Sequence, residues 1–295
     1  MKQLVFLTLM TLALTSCNDI KMKAEKNTTE KSSNDSVASK SGYSDVNGLK
    51  MYHEIYGEGK PLVLIHGGGS TIQTTFGRII PMLAKHRQII AVELQAHGRT
   101  SDRKTDFSFE QDADDVASLL KNLNISKADF FGFSNGGTTA LQIAIRHPEI
   151  VDKIVAASAL CKRKGVPSWF WDFMKQARLE NMPEQLKEAY KKVASNPGGL
   201  QIMHDKDAKR MIDFNDIPDE KIKSIKAPVL IIIGDKDVIT PEHAIEMYRL
   251  LPNSELAIIP GGHGEYIGEI TTLKPNYKES DFVIPMIERF LHKEK

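Results

Sequence analysis

The chain has 295 residues, 41% of them hydrophobic and 26% charged, with a formal net charge of +1. That composition suits one globular domain with an ordinary surface and a core large enough to carry an inserted lobe. A balance this close to neutral argues against a nucleic-acid partner, which shows as a basic excess or patch.

The N-terminus reads as an address. Lys2 is a short positive region, and Leu4 to Leu14 is an apolar run too short to span a bilayer as a stable helix. The sequence Leu14-Thr15-Ser16-Cys17 that follows resembles a bacterial lipobox. The resemblance implies that residues 1–17 are a lipoprotein signal, that Cys17 is lipidated, and that the protein faces outward from a membrane of a bacterial cell envelope. More than one acyl chain on a residue anchors stably, where a single chain holds only marginally. The other cysteine, Cys161, then has no intrachain partner and reads as a small buried hydrophobe. From Asn18 to about Ser41 the chain is almost wholly polar and cannot offset its ordering entropy, so it is expected to be a disordered tether.

Residues 42–295 carry the pattern of a folded domain. Gly42 to Val46 and Leu49 to Tyr56 alternate around Asn47-Gly48, a hairpin signature. Leu62 to Ile65 is continuously apolar, as a strand buried on both faces should be, and runs into His66-Gly67-Gly68-Gly69-Ser70. One helix is expected from about Gln73 to Lys85, a buried strand from Gln88 to Val92, and an amphipathic helix from Phe109 to Leu123. Asp129 to Phe133 reads as a strand and Gly136 to His147 as a helix stopped by Pro148, with Ser134 in the turn between them. After a strand at Lys153 to Ala159 the alternation breaks. Residues 162–225 are helical and charged, with aromatic residues Trp169, Phe170, Trp171 and Phe173 near the start. Those aromatics either line an acyl pocket or pack the lobe onto the sheet. Strands resume at Val229 to Gly234 and Leu256 to Ile259, with helices at Pro241 to Leu251 and Asp281 to Leu291. The expected architecture is α/β: a mostly parallel central sheet, helices on both faces, and an inserted helical cap.

Gly132-Phe133-Ser134-Asn135-Gly136 has G-x-S-x-G spacing in a strand–turn–helix context, which exposes a serine hydroxyl at the top of a sheet. Together with His66-Gly67-Gly68-Gly69, Gly234-Asp235-Lys236-Asp237 and Gly261-Gly262-His263 it resembles the α/β-hydrolase family, from about Gly42 to the C-terminus. The resemblance implies Ser134 as nucleophile and His263 as its base. Asp237 is the implied acid, ahead of Asp235, because family loops of the form G-D-x-D-x-x-x-P pair the second aspartate with the histidine. The oxyanion donors would be the N–H of Asn135 and one from the glycine run, with Gly68 preferred and Gly67 and Gly69 left open. The resemblance implies structural roles for His66 and His97. No cluster has metal-ligand spacing, and the chemistry requires neither metal nor other cofactor. The polar stretch after His263, to about Ser280, is long enough to border the pocket.

The function these residues imply is hydrolysis of a small carboxylic ester through an acyl-enzyme. Carbon–carbon bond hydrolysis, lactone opening and aminopeptidase action use the same triad and stay open. Dehalogenase and epoxide hydrolase chemistry is disfavoured, because relatives that perform it place aspartate where this chain has Ser134. A non-catalytic binding protein on the fold would be expected to lack a triad member, and none is missing.

Overall fold

The computed structural model of the chain describes residues 39–293. Cys17, the leader and most of the tether segment lie outside them. The first strand, β1 (Ser39–Val46), starts just ahead of the expected domain boundary at Gly42 and pairs antiparallel with β2 (Leu49–Tyr56). Asn47 and Gly48 both take positive φ, 43° and 83°, as a two-residue hairpin turn matched to strand twist requires.

The chain continues through β3 (Pro61–Ile65), α1 (Ile72–Phe76), α2 (Ile80–Leu83), β4 (Gln88–Val92) and α3 (Phe109–Asn122). The single helix expected from Gln73 to Lys85 is thus two short ones. Gly77 caps the first, and Pro81, with no N–H to give, fits only in the first turn of the second. Next come β5 (Ala128–Phe133), α4 (Asn135–Arg146) and β6 (Val151–Ala157). The insertion holds α5 (Ser168–Lys175), α6 (Glu184–Val193), α7 (Gly199–Ile212) and α8 (Asp219–Lys223). The chain then returns with β7 (Val229–Gly234), α9 (Pro241–Leu250), β8 (Ser254–Ile259) and α10 (Ser280–His292).

The eight strands form one sheet in the order β1-β2-β4-β3-β5-β6-β7-β8, parallel from β4 to β8. Alternate residues of the central strands feed two separate cores, one on each face. Val63, Ile90, Phe130, Ile154 and Ile231 pack among α3, α4 and α9. Leu62, Leu64, Phe131, Val155 and Ile232 pack among α1, α2 and α10. Both faces are covered, which is why these strands are apolar along their whole length. Helix α8 contacts α4 and α9, so the lid over the sheet edge is made by α5, α6 and α7.

Strand order reverses after β3: the chain steps outward to β4 and then crosses back to β5 on the other side. Loops leaving β3 and β5 therefore diverge, and a crevice opens at the carboxyl ends of the strands. Ser134 stands in that crevice.

Candidate active site

Ser134 takes φ 55° and ψ −121°, a backbone conformation a side chain-bearing residue adopts at a cost of about 1–3 kcal/mol. The surroundings hold it there. Ser134 N–H donates to Ala157 O at 2.8 Å, and its carbonyl accepts from Gly137 and Thr138 as α4 begins. A Cβ on Gly132 would lie 2.0 Å from Gly136 O, and one on Gly136 would lie 2.1 Å from Ile65 O. The flanking glycines are required by close backbone approach, and they let the turn project the hydroxyl outward.

His263 Nε2 lies 3.0 Å from Ser134 Oγ, and its Nδ1 lies 2.7 Å from Asp237 Oδ1. With Nδ1–H donating to the carboxylate, the neutral form of the ring presents a bare Nε2 to the serine hydroxyl. The Asp237 side chain is fully buried and well supplied with donors. Its Oδ1 also accepts from Ile239 N–H at 2.9 Å, and its Oδ2 from Ser158 Oγ at 2.5 Å. Asp235 does something else: its Oδ1 accepts from Gly261 N–H at 2.8 Å and ties the β7 loop to the histidine loop.

Burial works against both charges, and their mutual attraction outweighs it. The Asp237 carboxyl is raised by burial but held below its ordinary range by His263 and by bonds from His263, Ser158 and Ile239. His263 is lowered by burial, yet ends above the ordinary histidine value because Asp237 and, more weakly, Glu269 favour the imidazolium.

Of the glycine run, Gly67 N–H donates to Thr75 Oγ1 at 3.4 Å, and Gly69 N–H to Asp207 Oδ2 at 2.5 Å. Among the described residues neither Gly68 N–H nor Asn135 N–H has a protein acceptor. His66 Nδ1–H donates to Gly67 O at 2.7 Å while its Nε2 accepts from Leu94 N–H at 3.1 Å. Burial, with His97 beside it, pushes His66 down to about 3, so it is neutral and its tautomer is fixed. In a trans peptide C=O and N–H point opposite ways. Holding Gly67 O on His66 therefore turns Gly68 N–H the other way.

Ser134, Asn135, Gly68 and His263 border one cavity of about 280 Å³ beneath α5 to α7. Its walls are mainly apolar, with Leu160, Val166, Phe170, Met174, Met211 and Ile239 prominent. The arrangement, a hydroxyl beside an imidazole nitrogen and two N–H donors without an acceptor among the described residues, in a mainly apolar cleft, is equipped for attack on a carbonyl carbon.

A sequence model described as the alpha/beta hydrolase fold matches residues 60–211, more than half of the chain. The chain belongs to the alpha/beta hydrolase fold family. A 2-hydroxymuconate semialdehyde hydrolase of Pseudomonas sp. is 30% identical to it over 207 residues, covering 63% of this chain and 73% of the relative. The serine hydrolase BPHL of Homo sapiens is 28% identical over 237 residues, 74% of this chain and 77% of its own. Among solved structures, a mutant meta-cleavage product hydrolase of Pseudomonas fluorescens superposes with a TM-score of 0.70 at 24% identity, covering 85% of this chain and 97% of that one. At that identity the likeness speaks for the fold alone.

In this hydrolase three residues of the aromatic cluster divide between the two expected uses, and Trp169 is exposed and serves neither. Phe170 and Phe173 border the cavity, whereas Trp171 stacks at 6.0 Å on Phe214 under the Arg163 guanidinium. The stretch after His263 does not border the cavity: Glu265, Tyr266 and Ile267 are buried against the sheet domain, and Ile270 N–H bonds Thr74 O. Cys161 is buried, and burial pushes its thiol up to about 12. Sequence reading missed Ser158, Tyr266 and Asp207. Ser158, at φ 48°, stands at the end of β6 with the Tyr266 hydroxyl 2.8 Å from its Oγ. A serine near the end of an expected buried strand, at the same sheet edge as Ser134, was the available sign.

Proposed function

We propose that this hydrolase cleaves small carboxylic esters through an acyl-enzyme on Ser134. The observation that carries the reading is the hydrogen-bonded series Ser134–His263–Asp237 beside a cavity also lined by Gly68 and Asn135, whose N–H groups have no acceptor among the described residues. Ser134 Oγ attacks the ester carbonyl as its proton passes to His263 Nε2, and Asp237 supports the imidazolium that forms. Gly68 and Asn135 stabilise the oxyanion, with the N-terminus of α4 adding its dipole. The imidazolium returns its proton to the departing alkoxide. Water, deprotonated by the same imidazole, then attacks the acyl-enzyme and releases the acid.

One finding favours a second reading. The relative 30% identical to this chain is named for hydrolysis of 2-hydroxymuconate semialdehyde, so the same serine could break a carbon–carbon bond next to a carbonyl. A panel of p-nitrophenyl esters of graded acyl length separates the two. The ester reading expects turnover of short and medium chains, which suit the cavity, and loss of at least about a thousandfold in Ser134→Ala and in His263→Ala. Full activity in either variant would refute the mechanism. Inactivity across the panel, with turnover of 2-hydroxymuconate semialdehyde, would favour the second reading.

A further inference from the structure

A run of three glycines is the loosest backbone a chain can offer. An oxyanion donor works only if it is in place before the reaction, because reorganising it later costs what the site should save. The run Gly67-Gly68-Gly69 must therefore be stiffened by its contacts. Ser70 N–H donates to Gly67 O at 3.3 Å and Ser70 Oγ to Gly68 O at 3.4 Å, and the shortest contacts come one from the sheet domain and one from the cap. From the sheet domain, His66 holds the Gly67 carbonyl. From the cap, the Asp207 carboxylate on α7 accepts the Gly69 N–H at 2.5 Å, with His97 Nε2 also 3.2 Å from that nitrogen. The peptide planes on both sides of Gly68 are thereby fixed.

Asp207 is itself held. Its Oδ1 accepts from Arg210, one helical turn on, and Arg210 reaches Asp112 of α3 at 2.7 Å, with the Arg210 and Asp112 side chains each only 2% exposed. Burial raises the Asp207 carboxyl, but Arg210, His97 and the Gly69 N–H outweigh that and keep it ionised. A charged acceptor makes the shorter and stronger bond. The guanidinium also offsets a negative charge that would otherwise oppose an oxyanion nearby. Gly68 fits this carboxylate closely: a Cβ there would lie 2.8 Å from Asp207 Oδ2 and 2.5 Å from Asn135 Nδ2.

We propose that Asp207 is a positioning residue for the oxyanion loop: it fixes the Gly68–Gly69 peptide from the cap and so keeps Gly68 N–H aimed at the reacting oxygen. The seating of the lid and the completeness of the oxyanion site are then one event. The proposal rests on the reading of Ser134 as nucleophile and Gly68 as donor.

A neighbouring residue supplies the control. Lys206, adjacent on α7, also ties the lid to the sheet domain, through Asp102 at 2.8 Å and the Arg103 and Thr105 carbonyls, without touching the glycine run. The full chain is compared with Asp207→Asn, Asp207→Ala and Lys206→Ala for kcat and KM on the best ester, for the rate of labelling by a fluorophosphonate, and for thermal midpoint. In both Asp207 variants kcat and labelling should fall about 10- to 100-fold, short of outright removal of a donor, with KM little changed. Lys206→Ala should keep wild-type kcat and labelling even where its midpoint drops. The near-isosteric Asn variant carries the test if the Ala variant does not fold. Wild-type kcat and labelling in Asp207→Asn would overturn the proposal, as would an equal loss in Lys206→Ala, which would assign the effect to lid seating alone. A wild-type protein that takes no label at all would overturn the underlying reading of Ser134, a distinct outcome.

Discussion

The two halves of the candidate active site are built by different rules. On the sheet side, Gly68, Ser134, Asp237 and His263 each lie within a few residues of the carboxyl end of a strand, β3, β5, β7 and β8. Their positions follow from covalent attachment to a rigid, twice-covered sheet. On the lid side, Asp207, Phe170 and Met211 reach the cavity from helices α5 and α7, and their positions depend on how those helices pack. The sheet half sets what bond chemistry is available. The lid half sets what fits and, on the proposed role of Asp207, how well the Gly67–Gly69 run is held.

This division can be broken by mutation, and the largest effect should come from the sheet side. Asp237→Asn keeps the shape of the side chain but supports the wrong imidazole tautomer, so kcat should fall about ten-thousandfold. Asp235→Asn leaves the His263 contact untouched and should cost little in kcat, showing mainly as a lowered thermal midpoint from the weakened Gly261 contact. Equal losses in the two variants would contradict the assignment of the acid. A smaller effect should come from the lid. Phe170→Ala opens the apolar wall without touching the relay, so KM for medium-chain esters should rise about tenfold with kcat nearly intact. A loss confined to kcat would place Phe170 with the chemistry instead.

The same division explains what could be read in advance. The strands announced themselves as continuous apolar runs, and each motif sat at the end of one, punctuated by glycine. Strand–turn–helix context made Ser134 legible, and a strand followed by glycines did the same for His263. Which glycine carries the free N–H was not legible, because the choice turns on Thr75 and Asp207, side chains distant in sequence. Asp207 itself lies in His204-Asp205-Lys206-Asp207-Ala208-Lys209-Arg210, which looks like any solvated helix face. Only the fold turns Asp207 and Arg210 inward while leaving Asp205 and Lys209 exposed. The split of Phe170 from Trp171, neighbours on α5, has the same cause: adjacent helix positions point in different directions.

The proposed nucleophile is Ser134, with the neutral form of His263 as its base. The most direct test of that role is fluorophosphonate labelling followed by peptide mapping, run across a range of pH. An adduct is expected on the peptide containing Ser134 and none in Ser134→Ala. Since only the neutral imidazole can accept the serine proton, and His263 titrates above the ordinary histidine value, labelling should be slow at acidic pH and rise to a plateau through a pKa above about 6.5. Label on any other residue, or undiminished labelling of Ser134→Ala, would contradict that role.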